Sequence, residues 1–218
     1  MKFGQTRVVL SAAVLVALGL STVSASDTSS HGVSNGGMQG KFQYCGYCHG
    51  SAGQGYRGYF AMPRLAGQQP EYIVNQLRAF IEGRRDNHLS MRMSRVHGVG
   101  PALQMALAER FSHLNPKPYG TGPADLMSAG KKIYEEGVPE SNVPACGACH
   151  GLSGQGAGQN PRLAGQMFAY TTKNLSNWAR ERGQDHAHPD TSAIMLPITQ
   201  NMSKSQIAAV AAYVSSLK

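Results

Sequence analysis

The spacing of apolar residues predicts helices along most of the chain. Near the C-terminus, apolar side chains recur every three or four positions, as on one face of a helix, at Ile207, Val210, Ala211, Val214 and Leu217. Ser203 and Gln206 have the spacing of a capping box, so this helix is predicted to begin after Ser203. No stretch alternates between apolar and polar residues over the length of a strand. The pattern therefore predicts an all-α fold.

Three other segments have the same helical spacing. Residues 71–82 and 167–180 are predicted helices. A third helix is predicted from Pro101, a favourable residue for a first turn, through Leu114. Met105 lies in this third helix among apolar neighbours, and we expect it to pack in the core.

An internal repeat organises the chain. The sequence CGYCHGSAGQG at residues 45–55 returns as CGACHGLSGQG at residues 146–156, at an offset of 101 residues. The hexapeptide PRLAGQ at residues 63–68 returns at residues 161–166, at an offset of 98 residues. Each half also ends in a predicted helix. The chain is therefore expected to consist of two related halves.

A proline-rich and glycine-rich stretch separates the halves. Residues 115–123 read NPKPYGTGP, and prolines and glycines of this kind interrupt helices. We predict a first domain at residues 36–115, a linker at residues 116–124 and a second domain at residues 125–218. Each domain is then about 80 to 95 residues long, which is within the ordinary range.

The N-terminus has the layout of a secretory signal peptide. Lys2 and Arg7 precede an unbroken run of apolar and small residues at 8–20, and further small residues that suit cleavage follow. The run of 13 residues is short for a membrane span, and an uncleaved anchor is the alternative. We predict a signal peptide at residues 1–25, a flexible N-terminus at residues 26–35 and a periplasmic location.

The charge balance is basic. The sequence contains 20 Lys and Arg residues against 12 Asp and Glu residues, and its formal charge of +8 falls to +6 when the signal peptide is removed. An exported protein does not meet nucleic acid, so we expect no nucleic-acid partner. The excess charge then indicates either a solvated surface or a docking face for an acidic redox partner.

Two copies of C-x-x-C-H, at residues 45–49 and 146–150, are the strongest functional signal. This is the attachment pattern of c-type haem. Two thiols one helical turn apart bond to the vinyl groups of one porphyrin, and the adjoining histidine supplies an axial nitrogen to the iron. A zinc site and a redox dithiol are the alternatives, but neither requires a histidine at that position. We predict two covalently bound haem c groups, attached through Cys45, Cys48, Cys146 and Cys149, with His49 and His150 as axial ligands.

These features resemble the dihaem class I cytochromes c of the cytochrome c4 type. The resemblance covers about residues 36–218 and rests on C-x-x-C-H-G, on P-R-L-A-G-Q and on the helix that closes each half. In such proteins a proline carbonyl accepts a hydrogen bond from the axial histidine. This implies that Pro63 bonds to His49 and that Pro161 bonds to His150. The contact would fix the ring tautomer and raise the basicity of the ligand.

The resemblance also implies a methionine as sixth ligand, from the loop before each closing helix. Met195 has that place in the second half, eight residues before Ser203, whereas Met202 at the helix boundary is expected to be an apolar staple. When the closing helices are aligned backwards, Met93 falls opposite Met195, and Met91 is the alternative in the first half. We therefore predict Met93 and Met195 as sixth ligands.

The remaining histidines are expected to be exposed loop residues, namely His88, His97, His113, His186 and His188. His186 and His188 lie in a polar segment that lengthens the second half, where a weak metal or partner contact is the alternative. Arg64 and Arg162, beside the haem motifs, are expected either to face haem propionates or to lie on the surface.

The predicted ligands indicate an electron-transfer protein and not an enzyme, because His and Met fill both axial positions of each iron. We expect it to receive electrons from a dehydrogenase or a quinol-oxidising complex and to pass them to a terminal oxidase or reductase. This role is compatible with association with the periplasmic face of the inner membrane. The alternatives are an electron-transfer subunit of a periplasmic oxidoreductase that acts on sulfur compounds or alcohols, and a dihaem enzyme with one open haem site.

Overall fold

The computed structural model of the chain is mainly helical, which confirms the predicted fold class. It describes Met1 and residues 34–85, 93–182 and 191–218. Several predictions lie outside the described residues, namely the signal peptide beyond Met1, most of the flexible N-terminus, Met91, His88, His186, His188 and the side chain of His97. In the described ranges, no helix has the length and apolar character needed to cross a membrane.

The first half contains helices and a small hairpin. Its elements are α1 (Asn35–His49), β1 (Tyr56–Arg57), β2 (Ala61–Met62), α2 (Pro70–Ile81), a 3-10 helix (Met93–Gly98) and α3 (Pro101–Ser112). The hairpin pairs Tyr56 with Met62 and Arg57 with Ala61. It was not predicted, because strands of two residues are too short to show an alternating pattern.

The second half is helical along most of its described length. Its elements are a 3-10 helix (Ala124–Leu126), α4 (Met127–Glu136), a 3-10 helix (Pro139–Ser141), α5 (Gly147–His150), α6 (Phe168–Ser176), α7 (Trp178–Glu181), α8 (Ser192–Gln200) and α9 (Lys204–Ser216). The single helix predicted over residues 167–180 is interrupted at Asn177. The indole Nε1 of Trp178 donates to the carbonyl of Ser192 at 3.0 Å, so α7 is fixed to the start of α8.

The start of α9 has the predicted capping box. The Ser203 hydroxyl accepts a hydrogen bond from the backbone N–H of Gln206 at 3.2 Å. In return, the Gln206 side-chain oxygen accepts the backbone N–H of Ser203 at 2.8 Å. Two unpaired donors of the first turn are thereby satisfied.

Each half has a hydrophobic core of its own. The first core consists of Phe42, Ile73, Val74, Val99, Leu107, Ala108 and Phe111. The second consists of Ile133, Tyr134, Val138, Val143, Ala209, Val210 and Val214. The rings of Phe42 and Phe111 lie 5.0 Å apart and join α1 to α3. The rings of Tyr134 and Tyr213 lie 5.4 Å apart and join α4 to α9.

Met105 does not pack in the first core, and the prediction for it was wrong. Its side chain is 61% exposed. The preceding Gln104 is buried instead, and its Nε2 donates to the carbonyl of Val99 at 2.8 Å. Because Met105 precedes Leu107 by two residues, it lies on the opposite side of α3.

Reciprocal hydrogen bonds join the two halves. The side-chain oxygen of Gln166 accepts the backbone N–H of Arg64 at 2.8 Å, and its Nε2 donates to the Arg64 carbonyl at 3.1 Å. Gln68 forms the matching pair with Arg162, at 2.7 and 3.1 Å. The last residue of each PRLAGQ segment thus binds the second residue of the other copy, so the repeated sequence builds the contact between the halves.

Gly130 lets α4 and α9 come into close contact. A Cβ atom at this position would overlap the backbone carbonyl of Ala209 on α9. We expect Gly130→Ala to lower the free energy of unfolding by about 1–3 kcal/mol, because the two helices must move apart. Urea unfolding of the haem-containing protein measures this change.

Gly40→Ala is the matched control in a helix of the first half. Among the described residues, no atom outside α1 lies within 4 Å of a Cβ built at Gly40. The alanine is therefore expected to raise the free energy of unfolding by about 0.5–1 kcal/mol through helix propensity. Stabilisation by both substitutions would contradict the close contact at Gly130.

Candidate haem-binding site

One continuous cavity of about 1190 Å³ is lined by side chains from both halves. Both cysteine motifs contribute to its wall, through Cys45, Cys48, His49, Cys146, Cys149 and His150. The volume exceeds the roughly 300–1,000 Å³ that is typical of a site for one small ligand. The cavity is therefore large enough for more than one ligand, and the two motifs share it.

Helix ends place the two motifs on the cavity wall. The first motif forms the C-terminal end of α1, and the second runs from the N-cap of α5 to its last residue. In α1, Cys45 and Cys48 are three residues apart and so lie on one side of the helix. Gly50 and Gly151 follow the motifs with φ of 82° each, a conformation that glycine adopts readily. The chain can therefore turn sharply after each histidine.

The two histidine rings are oriented in the same way. Nδ1 of His49 lies 2.9 Å from the carbonyl oxygen of Pro63, and Nδ1 of His150 lies 2.9 Å from that of Pro161. Both predicted hydrogen bonds are thus present. A carbonyl oxygen only accepts, so each Nδ1 carries the proton.

The second ring nitrogen is then left as a metal ligand. Burial lowers the pKa of both His49 and His150, which favours the neutral ring. In a neutral ring with a proton on Nδ1, the Nε2 atom has a free lone pair. This is the tautomer that an axial ligand of haem iron requires.

The thiols do not have the character of a redox dithiol. Burial raises the pKa of Cys45 above its ordinary value and raises that of Cys146 to about 11. Thioredoxin-like couples depend instead on a thiol with a lowered pKa. All four cysteines, each within the described residues, are free of disulfides. Their chemistry argues against the redox-dithiol alternative.

Both predicted methionine ligands lie on the cavity wall. Met93 is the first residue of the 3-10 helix before α3, and Met195 lies in α8, before α9. Both side chains are half-buried. The segment around Met195 is helical, whereas the resemblance implied a loop. Because the structure brings both methionines to the cavity that contains the histidines, it supports their prediction as ligands.

Met202 also reaches the cavity wall but has another role as well. It packs against the second hydrophobic core and immediately precedes Ser203, the N-cap of α9. Its role as an apolar staple of that helix stays a prediction. The choice of Met93 over Met91 stays a prediction, since Met91 lies outside the described residues.

Arg64 is a buried structural residue, so the surface alternative was wrong for it. Arg64 is only 3% exposed. Its guanidinium donates hydrogen bonds to the carbonyls of Ala66 and Pro116, each at 2.9 Å. Burial, together with the nearby Arg162, lowers the pKa of Arg64 to about 10. Arg162 is partly buried, and its Nε donates to Ala164 at 3.2 Å. Both arginines line the cavity, as the propionate alternative requires.

A polar cluster in the same cavity was not predicted from the sequence. It consists of Gln76, Arg85, Tyr170, Asn174 and Arg182, from α2, α6 and the residues that follow α2 and α7. Arg85 donates to Tyr170 across the two halves at 2.7 Å. The repeat was the one sequence signal that could have pointed to these residues, because Gln76 and Asn174 occupy equivalent positions 98 residues apart. Their function depends on contacts between the halves, which the repeat alone does not give.

The residues of the cavity fit two covalently bound haem groups. Four free thiols, two neutral imidazoles and the thioethers of Met93 and Met195 lie on its wall, and most of the other lining side chains are apolar. The hydroxyl of Thr171 is buried on this wall and has no hydrogen-bond partner among the residues that the structure describes. A polar group of a bound ligand would satisfy it. The cavity therefore has both the anchoring groups and the space for the predicted cofactors.

The sequence is similar to characterised cytochromes. The family profile for cytochrome c matches residues 127–218. Cytochrome c4 of Thiocapsa roseopersicina is 37% identical over 79% of this chain and 86% of that protein. Cytochrome c-552 of Acidithiobacillus ferridurans is 36% identical over 79% of this chain and 73% of that protein. A thiosulfate dehydrogenase electron acceptor of Thiomonas intermedia is 33% identical over 78% of this chain and 77% of that protein.

The structure of the chain is also similar to solved structures of such proteins. Cytochrome c4 of Acidithiobacillus ferrooxidans matches with a TM-score of 0.66 and 32% identity, over 80% of this chain and 99% of that one. Thiosulfate dehydrogenase of Marichromatium purpuratum matches with a TM-score of 0.69 and 31% identity, over 80% of this chain and 36% of that one. The similarity thus extends over both repeated halves and their arrangement of helices.

Proposed function

The chain belongs to the cytochrome c4 family, and we propose that it works in the periplasm as a carrier of electrons between other redox proteins. It is an electron-transfer protein with two covalently bound haem c groups. Its fold is that of two cytochrome c domains in tandem. The proposal adds the location, the residues that bind the cofactors and the class of partner.

The cavity that both halves line is the observation that supports this proposal best. We assign covalent attachment to Cys45, Cys48, Cys146 and Cys149, and iron ligation to His49, Met93, His150 and Met195. Bound haem supplies reversible one-electron chemistry at iron. Pro63 and Pro161 orient the imidazole rings. The apolar wall excludes water, which favours ferrous iron and raises the reduction potential.

We assign the two domains to residues 36–115 and 125–218, with residues 116–124 as the linker. The separate hydrophobic cores support this division, because each is built from residues of one half. The reciprocal Gln68 and Gln166 contacts support a fixed arrangement of the two domains. Electrons could then pass between the two cofactors within one molecule.

Covalent haem attachment, the predicted signal peptide and the basic charge support the proposed location and class of partner. Haem c is attached on the outer side of the bacterial inner membrane, and the predicted signal peptide at residues 1–25 would deliver the chain there. The donor is a dehydrogenase or a quinol-oxidising complex, and the acceptor is a terminal oxidase or reductase. The basic charge of the mature chain, +6, suits acidic partner surfaces and association with the inner membrane.

A coulometric titration tests the carrier function. The oxidised protein is expected to take up two electrons per chain, one for each iron. Cyanide added to the ferric protein is expected to leave its spectrum unchanged on the timescale of electron transfer, because both axial positions are filled by side chains. Rapid binding of cyanide at one haem would support the enzyme alternative, and uptake of one electron would contradict two functional haems.

A role beside a thiosulfate-oxidising enzyme is the second candidate. One relative is a thiosulfate dehydrogenase electron acceptor, and the match to a thiosulfate dehydrogenase structure covers 80% of this chain. A purified thiosulfate dehydrogenase, mixed with thiosulfate and the oxidised protein, distinguishes the candidates. Rapid reduction with tight association favours a subunit role, whereas reduction by transient collisions favours a free carrier.

A further inference from the structure

We propose that the first half carries a docking surface for a redox protein that presents acidic side chains around its own cofactor. Four exposed tyrosines and two cations form this surface, which we call the tyrosine surface: Lys41, Tyr44, Tyr47, Tyr56, Arg57 and Tyr59. The proposal rests on the proposed function, because it requires a carrier that exchanges electrons with another protein.

The exposure of the tyrosines is the first argument. Tyr44, Tyr47, Tyr56 and Tyr59 are 46%, 82%, 52% and 94% exposed, and all four belong to one short segment of the chain. Tyrosine is enriched at protein interfaces, because its ring is apolar and its hydroxyl can form hydrogen bonds. None of the four belongs to the first hydrophobic core. Core packing therefore does not account for their presence.

The second half shows that a haem motif does not need these tyrosines. Alanine occupies three equivalent positions of the repeat, namely Ala145, Ala148 and Ala157 in place of Tyr44, Tyr47 and Tyr56. Both motif histidines nevertheless form the same hydrogen bond to a proline carbonyl, at 2.9 Å. The tyrosines therefore serve a purpose that belongs to the first half alone.

The hairpin that carries two of the tyrosines is an addition to a frame that both halves share. Between GQG and PRLAGQ the first half has residues 56–62, and the second has only residues 157–160. The carbonyl of His49 accepts the backbone N–H of Gly55 at 2.8 Å, and the ring of His49 bonds to the proline that follows the hairpin. The same two bonds, at the same distances, hold His150. The extra residues are thus not needed to hold the axial ligand.

The tyrosine surface adjoins the site assigned to the first haem. Tyr47 lies between the two attachment cysteines in the sequence, and Tyr44 and Tyr59 line the cavity. Both ends of the hairpin are bound to His49. An electron crosses between two proteins only where their cofactors come close, and a partner on this surface meets that condition. One electron crosses in each encounter, so one cofactor is oxidised as the other is reduced.

The charge identifies the kind of partner. Residues 28–70 contain no Asp or Glu, and their cations include Lys41 and Arg57. The Nζ atom of Lys41 lies 5.9 Å from the centre of the Tyr44 ring, so the cation and the ring belong to one patch. The segment before the second motif has three exposed carboxylates instead, namely Glu135, Glu136 and Glu140. An acidic partner is therefore attracted to the first half more than to the second.

Kinetics with native membranes test the proposal. Membranes of the bacterium that produces the protein oxidise its reduced form through their terminal oxidase. With the oxidase inhibited, they reduce its oxidised form through their quinol-oxidising complex. Tyr47→Ala and Tyr56→Ala introduce the residue of the second half, and Arg57→Gln removes a cation. We expect each variant to raise KM about fivefold or more in at least one direction and to leave kcat unchanged, because interface Tyr and Arg contribute strongly to binding.

Tyr119→Ala and Lys204→Gln are the matched controls. Tyr119 is 45% exposed in the linker, and Lys204 is exposed at the start of α9. Neither control should change KM. The KM of the wild-type protein should rise with salt concentration, and Arg57→Gln should weaken this dependence whereas Lys204→Gln should not. Two covalent haems in every variant would show that docking, and not the cofactor, has been lost.

Other occupants of the surface give different results. A wild-type dimer that Tyr47→Ala dissociates, seen by light scattering, assigns the surface to a second copy of the chain. Binding to protein-free vesicles of phosphatidylglycerol and phosphatidylethanolamine that Tyr47→Ala abolishes assigns it to the membrane. Either result overturns the proposal.

The kinetic outcomes are equally decisive. A KM that either tyrosine variant leaves unchanged in both directions overturns the docking surface, and a salt dependence that Arg57→Gln leaves unchanged overturns the acidic partner. Both results leave the proposed function intact. Membranes that neither reduce nor oxidise the wild-type protein contradict the proposed function, and the docking surface fails with it.

Discussion

Replacing Cys146 and Cys149 together by alanine is expected to leave one covalently bound haem per chain instead of two. The two thiols are the only groups of the second motif that can form thioether bonds, and they line the cavity beside His150. The second core should also lose stability, because a porphyrin would no longer fill its side of the cavity. Intact mass and the haem content left after acid–acetone extraction measure the loss.

The first motif provides the matched variant. Cys45→Ala with Cys48→Ala should also leave one haem, and the fourfold variant should leave none that resists extraction. The wild-type mass should exceed that of the processed polypeptide by two haem groups. Two extraction-resistant haems in the variant that lacks Cys146 and Cys149 would contradict the assignment of the second attachment site.

Local chemistry made part of the site predictable. The C-x-x-C-H spacing, the bond from each histidine to Pro63 or Pro161 and the capping box of Ser203 all depend on residues close in sequence or on a family pattern. The position of Met105 could also have been predicted. It lies two residues from Leu107, and a side chain at that spacing points away from the buried face of a helix.

Contacts between the halves were not predictable in the same way. The hexapeptide containing Gln68 and Gln166 was recognised as a repeat, but its role in joining the halves depends on how the two copies pack. The same holds for Arg85 and Arg182, whose partners lie 85 and 106 residues away in the chain. A single sequence shows which segments are repeated but not which surfaces of the copies meet.

The interrupted helix of the second half has a related cause. The apolar spacing over residues 167–180 indicates one helix, and propensity gives no reason to end it at Asn177. Trp178 is instead bound to Ser192, and Arg182 stacks on its ring. These tertiary contacts redirect the chain after Asn177. They also bring Arg182 to the cavity wall, so the deviation from the predicted helix helps to form the site.

Replacing Met195 by alanine is expected to remove the sixth ligand of the second haem. The charge-transfer band from thioether sulfur to ferric iron, at the red end of the spectrum, should fall by about half, because one of two equivalent His/Met sites is lost. Met93→Ala should remove the other half. The midpoint of the affected haem should also fall, since the thioether stabilises ferrous iron. Absorption spectra of the oxidised variants and redox titrations measure these changes.

Two other methionines serve as controls for this assignment. Met105 is exposed on α3, so Met105→Ala should change neither the band nor the stability. Met202 packs against the second core, so Met202→Ala should lower the free energy of unfolding by about 2 kcal/mol while the band persists. If Met93→Ala leaves the band intact and Met91→Ala halves it, Met91 is the ligand of the first haem. In that case the backward alignment of the closing helices, which placed Met93 opposite Met195, is out of register by two residues.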